Sequence, residues 1–214
     1  PATAHQVAVT AGIGQAQVGL SGRLQPDALV VQDGTLTLPR SRLVIGGRLS
    51  RRRDRASTLE ANGTVELADV SSAPFVKFPA LESWRAQGAV EVAAKLQGDP
   101  ADWRAARLAA RLTADRIQLR DVPIEQLLCI VEQDQRVLRV RVPSAMIGGG
   151  KGAGELALEH GTDTQEYLLQ ADLIGLQLAQ LSEAIPAWRG RAITGTASSH
   201  LALSGLWQQR RSWR

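Results

Sequence analysis

The sequence predicts a mainly-β fold: a curved, largely antiparallel sheet shaped as a β-groove (taco-like), with two or three short helices and two related modules. Three observations carry that expectation. Apolar residues recur with period 2 through most segments, the mark of a sheet with one apolar face. Glycines number 20 in 214 residues and punctuate those segments. The same segment types return at an interval of roughly 100 residues, which fits repeated sheet modules better than a compact enzyme core.

Residues 1–50 read as hairpins. Val7 and Val9 alternate with Ala8 and Thr10 before Gly12 and Gly14, and Val18 and Leu20 precede Gly22. Leu29 and Val31, then Leu36 and Leu38, flank Asp33-Gly34, a two-residue turn signal. Leu43 and Ile45 follow, ended by Gly46-Gly47. The run Arg51-Arg52-Arg53-Asp54-Arg55 reads as a solvated loop. Asn62-Gly63, between Leu59 and Val65, reads as a hairpin turn, although Asn62-Gly63-Thr64 also matches a glycosylation acceptor. Residues 72–84 form a short helical or irregular insertion that Pro79 must break. Val90, Val92, Ala94 and Leu96 then alternate up to the turn Gly98-Asp99-Pro100, and residues 103–112 suit a helix by composition and a strand by context.

The central unit runs from Arg116 to Leu158. Ile117 and Leu119 alternate with Gln118 and Arg120. Asp121 is placed to cap a helix with Pro123 in its first turn, and Ile124, Leu127, Leu128 and Val131 recur at i, i+3, i+4 and i+7, a helix stripe. After Asp134 the period returns to 2: Leu138, Val140 and Val142 share one face, and Val137, Arg139 and Arg141 the other. Pro143 and Gly148-Gly149-Gly150 end that strand, and residues 155–158 begin the next. Leu169, Ala171 and Leu173 form another strand, Leu178, Leu181 and Ile185 a short helix before Pro186, and residues 191–206 one more hairpin with Leu201 and Leu203 on one face.

Three parallels define the repeat. Pro39…Gly46-Gly47 parallels Pro143…Gly148-Gly149, and Trp84-Arg85…Gly88 parallels Trp188-Arg189…Gly195. Residues 65–78, 117–131 and 169–185 share a strand, a loop and a short apolar helix. The expected modules are residues 1–110 and 111–214, joined in one continuous sheet.

Composition narrows the function. Lys and Arg total 25 against 21 Asp and Glu, a net charge of +4 with basic and acidic residues interleaved, so nucleic-acid binding is not expected. A single cysteine, Cys129, excludes an internal disulfide and a cysteine-based zinc site, and its apolar neighbours mark it as packing. No run reaches the ~18 apolar residues of a membrane span. The chain reads as a piece of a longer protein.

No catalytic constellation emerges, and no cofactor or metal is expected. Gly148–Gly154 holds Lys151 in a glycine-rich run, but Gly152 stands where a phosphate loop needs Ser or Thr, and no helix pattern follows. His5, His160 and His200 are far apart. Asp69, Asp121 and Asp172 sit near strand ends, where cap and turn roles explain them. Ser182 and Ser198 have no placed base, and no G-x-S-x-G elbow is present. Trp103, Trp207 and Trp213 read as core packing, with a groove rim or membrane interface as the alternative.

The segments I117-Q-L-R-D-V-P-I-E-Q-L-L128, I147-G-G-G-K-G-A-G-E-L-A-L158, Y167-L-L-Q-A-D-L-I-G-L-Q-L-A-Q-L181 and G190-R-A-I-T-G-T-A-S-S-H-L-A-L-S-G205, in that order, resemble the AsmA-like family of envelope proteins. The resemblance implies an inner-membrane anchor upstream, a periplasmic body of repeating β-groove modules, and a role in phospholipid transfer toward the outer membrane or in its homeostasis. Its partners would be phospholipid acyl chains, flanking modules of the same parent, and the two membranes through segments beyond this chain. The residues independently predict sheets with one apolar face and few helices to cover it. A seven-residue strand spans ~23 Å, more than the ~15 Å of one leaflet's hydrocarbon. The apolar groove is therefore assigned to Ile117, Leu119, Leu138, Val140, Val142, Leu156 and Leu158, with Arg116, Arg120, Arg139 and Arg141 facing solvent. The alternative is a non-enzymatic scaffold for outer-membrane proteins acting through sheet-edge pairing.

Overall fold

The structure, a computed structural model, describes residues 5–13, 15–52, 55–72, 85–99, 105–134, 136–159, 166–182, 185, 188 and 190–206. They form one twelve-stranded antiparallel sheet in which spatial order equals sequence order. The strands are β1 (His5–Ile13), β2 (Ala16–Leu24), β3 (Ala28–Thr37), β4 (Arg42–Ser50), β5 (Ser57–Glu66), β6 (Ala89–Gly98), β7 (Arg107–Leu119), β8 (Val122–Asp134), β9 (Val137–Ile147), β10 (Gly150–Glu159), β11 (Glu166–Gln177) and β12 (Thr196–Leu206). Helix α1 (Leu67–Ser72) follows β5 directly, and α2 (Leu178–Leu181) follows β11. β1 and β12 lie at opposite ends of the order, so the curved sheet is open and not a barrel.

A sheet with so few helices cannot bury much. The chain exposes 14237 Å², against about 9,600 Å² expected of a compact protein of its mass. No large side chain among the described residues is fully buried, and the clustered core is Val90, Ala114 and Ile117, with Leu67 of α1 packed against it. The fold is held by its ladders rather than by a two-layer core.

Several expected turns are instead the middles of strands. Asp33-Gly34 lies inside β3, Gly46-Gly47 inside β4 and Asn62-Gly63 inside β5. Gly34, Gly47 and Gly63 serve close approach, not reversal. A Cβ at Gly63 would lie 2.0 Å from the Arg42 carbonyl oxygen, so the neighbouring backbone occupies the space a side chain would need. Residues 191–206 contribute one strand, β12, instead of a hairpin. Trp84, Trp103, Trp207, Trp213 and His160 lie outside the described residues.

The helix expected at Ile124, Leu127, Leu128 and Val131 is also absent. These residues belong to β8, and Asp121 sits in the β7–β8 turn rather than at a helix cap. The apparent helical spacing comes from an irregularity. Gln126 has φ 53, Glu125 and Gln126 are both exposed, and the β8–β9 register shifts between Glu125 and Leu128. An extra residue converts the i, i+2 spacing of one sheet face into i, i+3, so Ile124 and Leu127 share the apolar face. Leu128 pairs with Thr113 and Ser144 on the other.

The repeat is six strands and a helix. β1–β6 with α1 recur as β7–β12 with α2. Register breaks occur between β2 and β3 and between β3 and β4, and again between β8 and β9 and between β9 and β10. Leu67 N–H donates to the Gly88 carbonyl at 3.0 Å, and Leu178 N–H donates to the Gly195 carbonyl at 3.0 Å. Gly88 and Gly195 have φ 111 and 108. The Gly88/Gly195 parallel thus marks equivalent strand entries. The Gly46-Gly47/Gly148-Gly149 parallel does not: Gly148-Gly149 is the two-residue β9–β10 turn, and its counterpart is the β3–β4 turn near Ser41. That turn is tied to α1, because the buried Asp69 carboxylate accepts from Arg40 N–H at 2.8 Å and from Ser41 Oγ at 2.7 Å. Residue 110 lies inside β7, so the element order changes units at the β6–β7 junction, itself a continuous ladder from Glu91↔Thr113 to Gln97↔Arg107.

Gly63→Ala should destabilise the protein by about 2 kcal/mol or more in urea unfolding. Gly46→Ala, whose added Cβ would meet nothing closer than 4.0 Å, should cost less than about 1 kcal/mol.

Candidate functional site

Cross-strand partners point to the same side of a sheet, so the register fixes which residues share a face. One row can be followed without a break. Val9, Leu20, Gly34, Ile45, Ala61 and Ala94 cross the first unit. Ala110, Val131, Val140, Leu156, Leu169 and Leu203 continue it across the second. A flanking row holds Leu59, Leu96, Leu108, Leu138, Leu158 and Tyr167. The other flanking row holds Leu36, Leu43, Val92, Leu112, Cys129 and Val142. Three rows on twelve strands cover roughly 1,100 Å² at the usual strand spacing and rise, and no Asp, Glu, Lys or Arg lies in them.

The groove residues expected from the sequence fall on this face. Val140 pairs with Leu156 and Leu138 with Leu158, while Val142 pairs with Gly154. Ile117 belongs to the core cluster and pairs with Ile124, and Leu119 is two residues further along β7. Residues of the first unit, such as Leu20, Ile45 and Leu59, also fall on this face, beyond the set expected from the sequence. Period-2 alternation runs there too, but glycines interrupt it in the sequence.

The apolar face is the sheltered one. Ala93 and Ala94 are neighbours of the same type, yet Ala93 is exposed and Ala94 half-buried; Ala109 and Ala110 repeat the contrast. Equal side chains with unequal exposure mean that the sheet bends around the apolar side, leaving a trough floored by partly covered aliphatic groups. The opposite face is wet and charged. Lys95 pairs with Glu60 at 2.8 Å, Arg141 with Glu132 at 2.7 Å, Arg107 with Asp134 at 3.1 Å and Arg116 with Glu125 at 3.7 Å. Such exposed pairs contribute about 0–1 kcal/mol each, so they keep this face solvated rather than hold the fold together.

A depression of about 520 Å³ lies where β7 and β8 lose alternation, lined among others by Glu91, Thr113, Asp115, Arg116 and Gln126. Thr113 Oγ1 donates to Glu91 at 3.3 Å, and Arg116 is engaged by Glu125. His200 Nδ1 lies 2.7 Å from the Asp172 carboxylate across β11 and β12, so Asp172 is an exposed strand residue in a cross-strand hydrogen bond and not a cap. Gly148–Gly154 is a hairpin turn and strand, not a phosphate cradle. Among the described residues no three His, Cys, Asp or Glu side chains gather to hold a metal, and no helix is long and apolar enough to cross a membrane. No family model, curated protein or solved structure matches the chain.

Cys129 reports on the trough. It is buried opposite Leu112, and burial pushes its thiol pKa up. The reactive thiolate is therefore scarcer in the folded than in the unfolded chain. Alkylation by iodoacetamide at pH 8 should be slowed about tenfold or more by folding; equal rates in buffer and in urea would place Cys129 in solvent.

Proposed function

We propose that the chain is a non-enzymatic lipid-binding segment of an AsmA-like cell-envelope protein, sheltering phospholipid acyl chains during transfer between membranes in the periplasm. The observation that supports this reading is the uncharged apolar face running unbroken from Val9 to Leu203. Soluble proteins rarely leave contiguous apolar surface beyond a few hundred Å² without an occupant. Acyl chains suit this face: each methylene withdrawn from water is worth about 0.8 kcal/mol, and they need no hydrogen-bond partner. Transfer from a bilayer into such a trough exchanges one apolar environment for another. The lipid is then held against water without being trapped, as a conduit requires. Polar headgroups would project from the open side. The charged rear face would keep the segment wetted.

Leu138→Asp together with Val140→Asp should abolish capture of a photo-crosslinkable phospholipid while circular dichroism stays β-rich, because both place charge in the row that acyl chains would touch. Arg139→Ser with Arg141→Ser, on the solvated face, should retain most of the capture. Failure of the unaltered chain to capture the probe would overturn the proposal.

A further inference from the structure

We propose that the trough holds a phospholipid in one orientation, with its acyl chains parallel to the strands, their methyl ends toward α1, and its phosphate on the arginines around the β4–β5 turn. The inference rests on the lipid-binding reading and adds to it the polarity of the lipid and the groups that recognise its headgroup.

The strand order makes the two ends of the sheet unlike. Consecutive strands pair antiparallel, so the connections alternate between the ends. α1 follows β5 and α2 follows β11, which puts both helices at the same end. In the middle of the sheet that end is filled: Val90, Ala114 and Ile117 are buried there, and Leu67 of α1 packs against them. The β2–β3 and β4–β5 turns lie at the other end. There the apolar face gives way to polar side chains, with Ser57 and Gln133 buried at the ends of β5 and β8.

Residues 48–55 bring five arginines against one aspartate to this end. Asp27 of the β2–β3 turn arranges them. Arg48 Nη2 and Arg55 Nη1 donate to the same Asp27 carboxylate oxygen, at 2.9 and 2.8 Å. Arg51 N–H donates to the Asp27 carbonyl at 2.9 Å, which fastens the two turns together. Ser50 Oγ donates to the Arg52 carbonyl at 2.9 Å and accepts from Arg52 N–H at 3.1 Å. The Arg48 and Arg55 side chains are still 46% and 56% exposed. One carboxylate shared by two guanidiniums leaves a net positive charge, and each guanidinium keeps further N–H donors beyond the one given to Asp27. A lipid phosphodiester is an anion rich in acceptor oxygens, and arginine forks match its geometry. The lengths agree as well. Leu59 to Val65 on β5 span ~20 Å, against ~15 Å for the hydrocarbon of one leaflet. A lipid whose ester region lies near the Leu59–Leu96 pair therefore ends its chains before the Val65–Val90 pair, where the core begins.

Phosphatidylglycerol probes with a diazirine near the ester or near the terminal methyl of the acyl chain test the orientation. The first should label Leu59, Leu96 or Leu108, and the second Val92, Leu112 or Cys129, as mapped by mass spectrometry. Reversed or scattered labels would overturn the proposal while leaving the lipid-binding reading in place; no label from either probe would remove both. Arg48→Ser with Arg55→Ser should lower phosphatidylglycerol capture about tenfold, with circular dichroism and capture of a diacylglycerol of the same chains unchanged. Undiminished capture of the phospholipid, or an equal loss for both lipids, would count against the arginines. Phenylglyoxal separates a lipid phosphate from a free one. Phosphatidylglycerol should slow modification of Arg48 and Arg55, and inorganic phosphate at equal concentration should not. Protection by inorganic phosphate with none from the lipid would overturn the assignment.

Discussion

Every property of this molecule depends on one constraint: antiparallel partners place their side chains on the same side of the sheet, strand after strand. With each strand paired to its sequence neighbours, that rule carries a choice of face from β1 to β12. It needs no second layer to enforce it. Cross-strand pairs contribute only about 0.2–1 kcal/mol each, but a sheet of eleven junctions contains many of them. This explains how the chain stays ordered with so little clustered core.

Strict alternation alone would give a flatter, more regular sheet. The bends come from places where alternation is broken on purpose. Bulges shift parity and increase local twist. They recur between β2, β3 and β4 and again between β8, β9 and β10, while a further break between β11 and β12 has no counterpart between β5 and β6. At such sites an extra residue flips the outward set inward, and the residues on either side change identity to match. Ala114 and Ile117 are both buried while Asp115 and Arg116 between them are both exposed. The sequence compensates the backbone irregularity, so the apolar face survives it.

The two faces then divide the physical work. The apolar face offers water-excluding surface without charge. The outer face offers exposed ion pairs that contribute little stability but keep the protein wetted. The helices act at the margins. α1 is bound to the β3–β4 turn through Asp69, and α2 packs beside Gly148-Gly149, where a Cβ at Gly148 would lie 2.9 Å from Leu181. Each unit is thus fastened at one end of its strands, and among the described residues no helix covers the rest of the trough.

The sequence by itself determined the fold class, the face assignments within individual strands and the existence of two related units. Period-2 alternation is a local property, and Leu138, Val140 and Val142 could be assigned to one side without knowing their partners. It also located the Gly88/Gly195 equivalence, because both sit at the entry of a strand after a tryptophan-bearing segment. Only the tertiary structure decided what the glycines and the Ile124–Val131 spacing meant. Asn62-Gly63 has the chemistry of a tight turn, yet the approach of the Arg42 backbone requires the missing side chain in mid-strand. Ile124, Leu127 and Val131 carry the spacing of a helix, yet a bulge produces the same interval in a strand. In both cases the local signal is degenerate, and the neighbouring strand, remote in neither sequence nor space but invisible to a one-dimensional period, chooses between the readings.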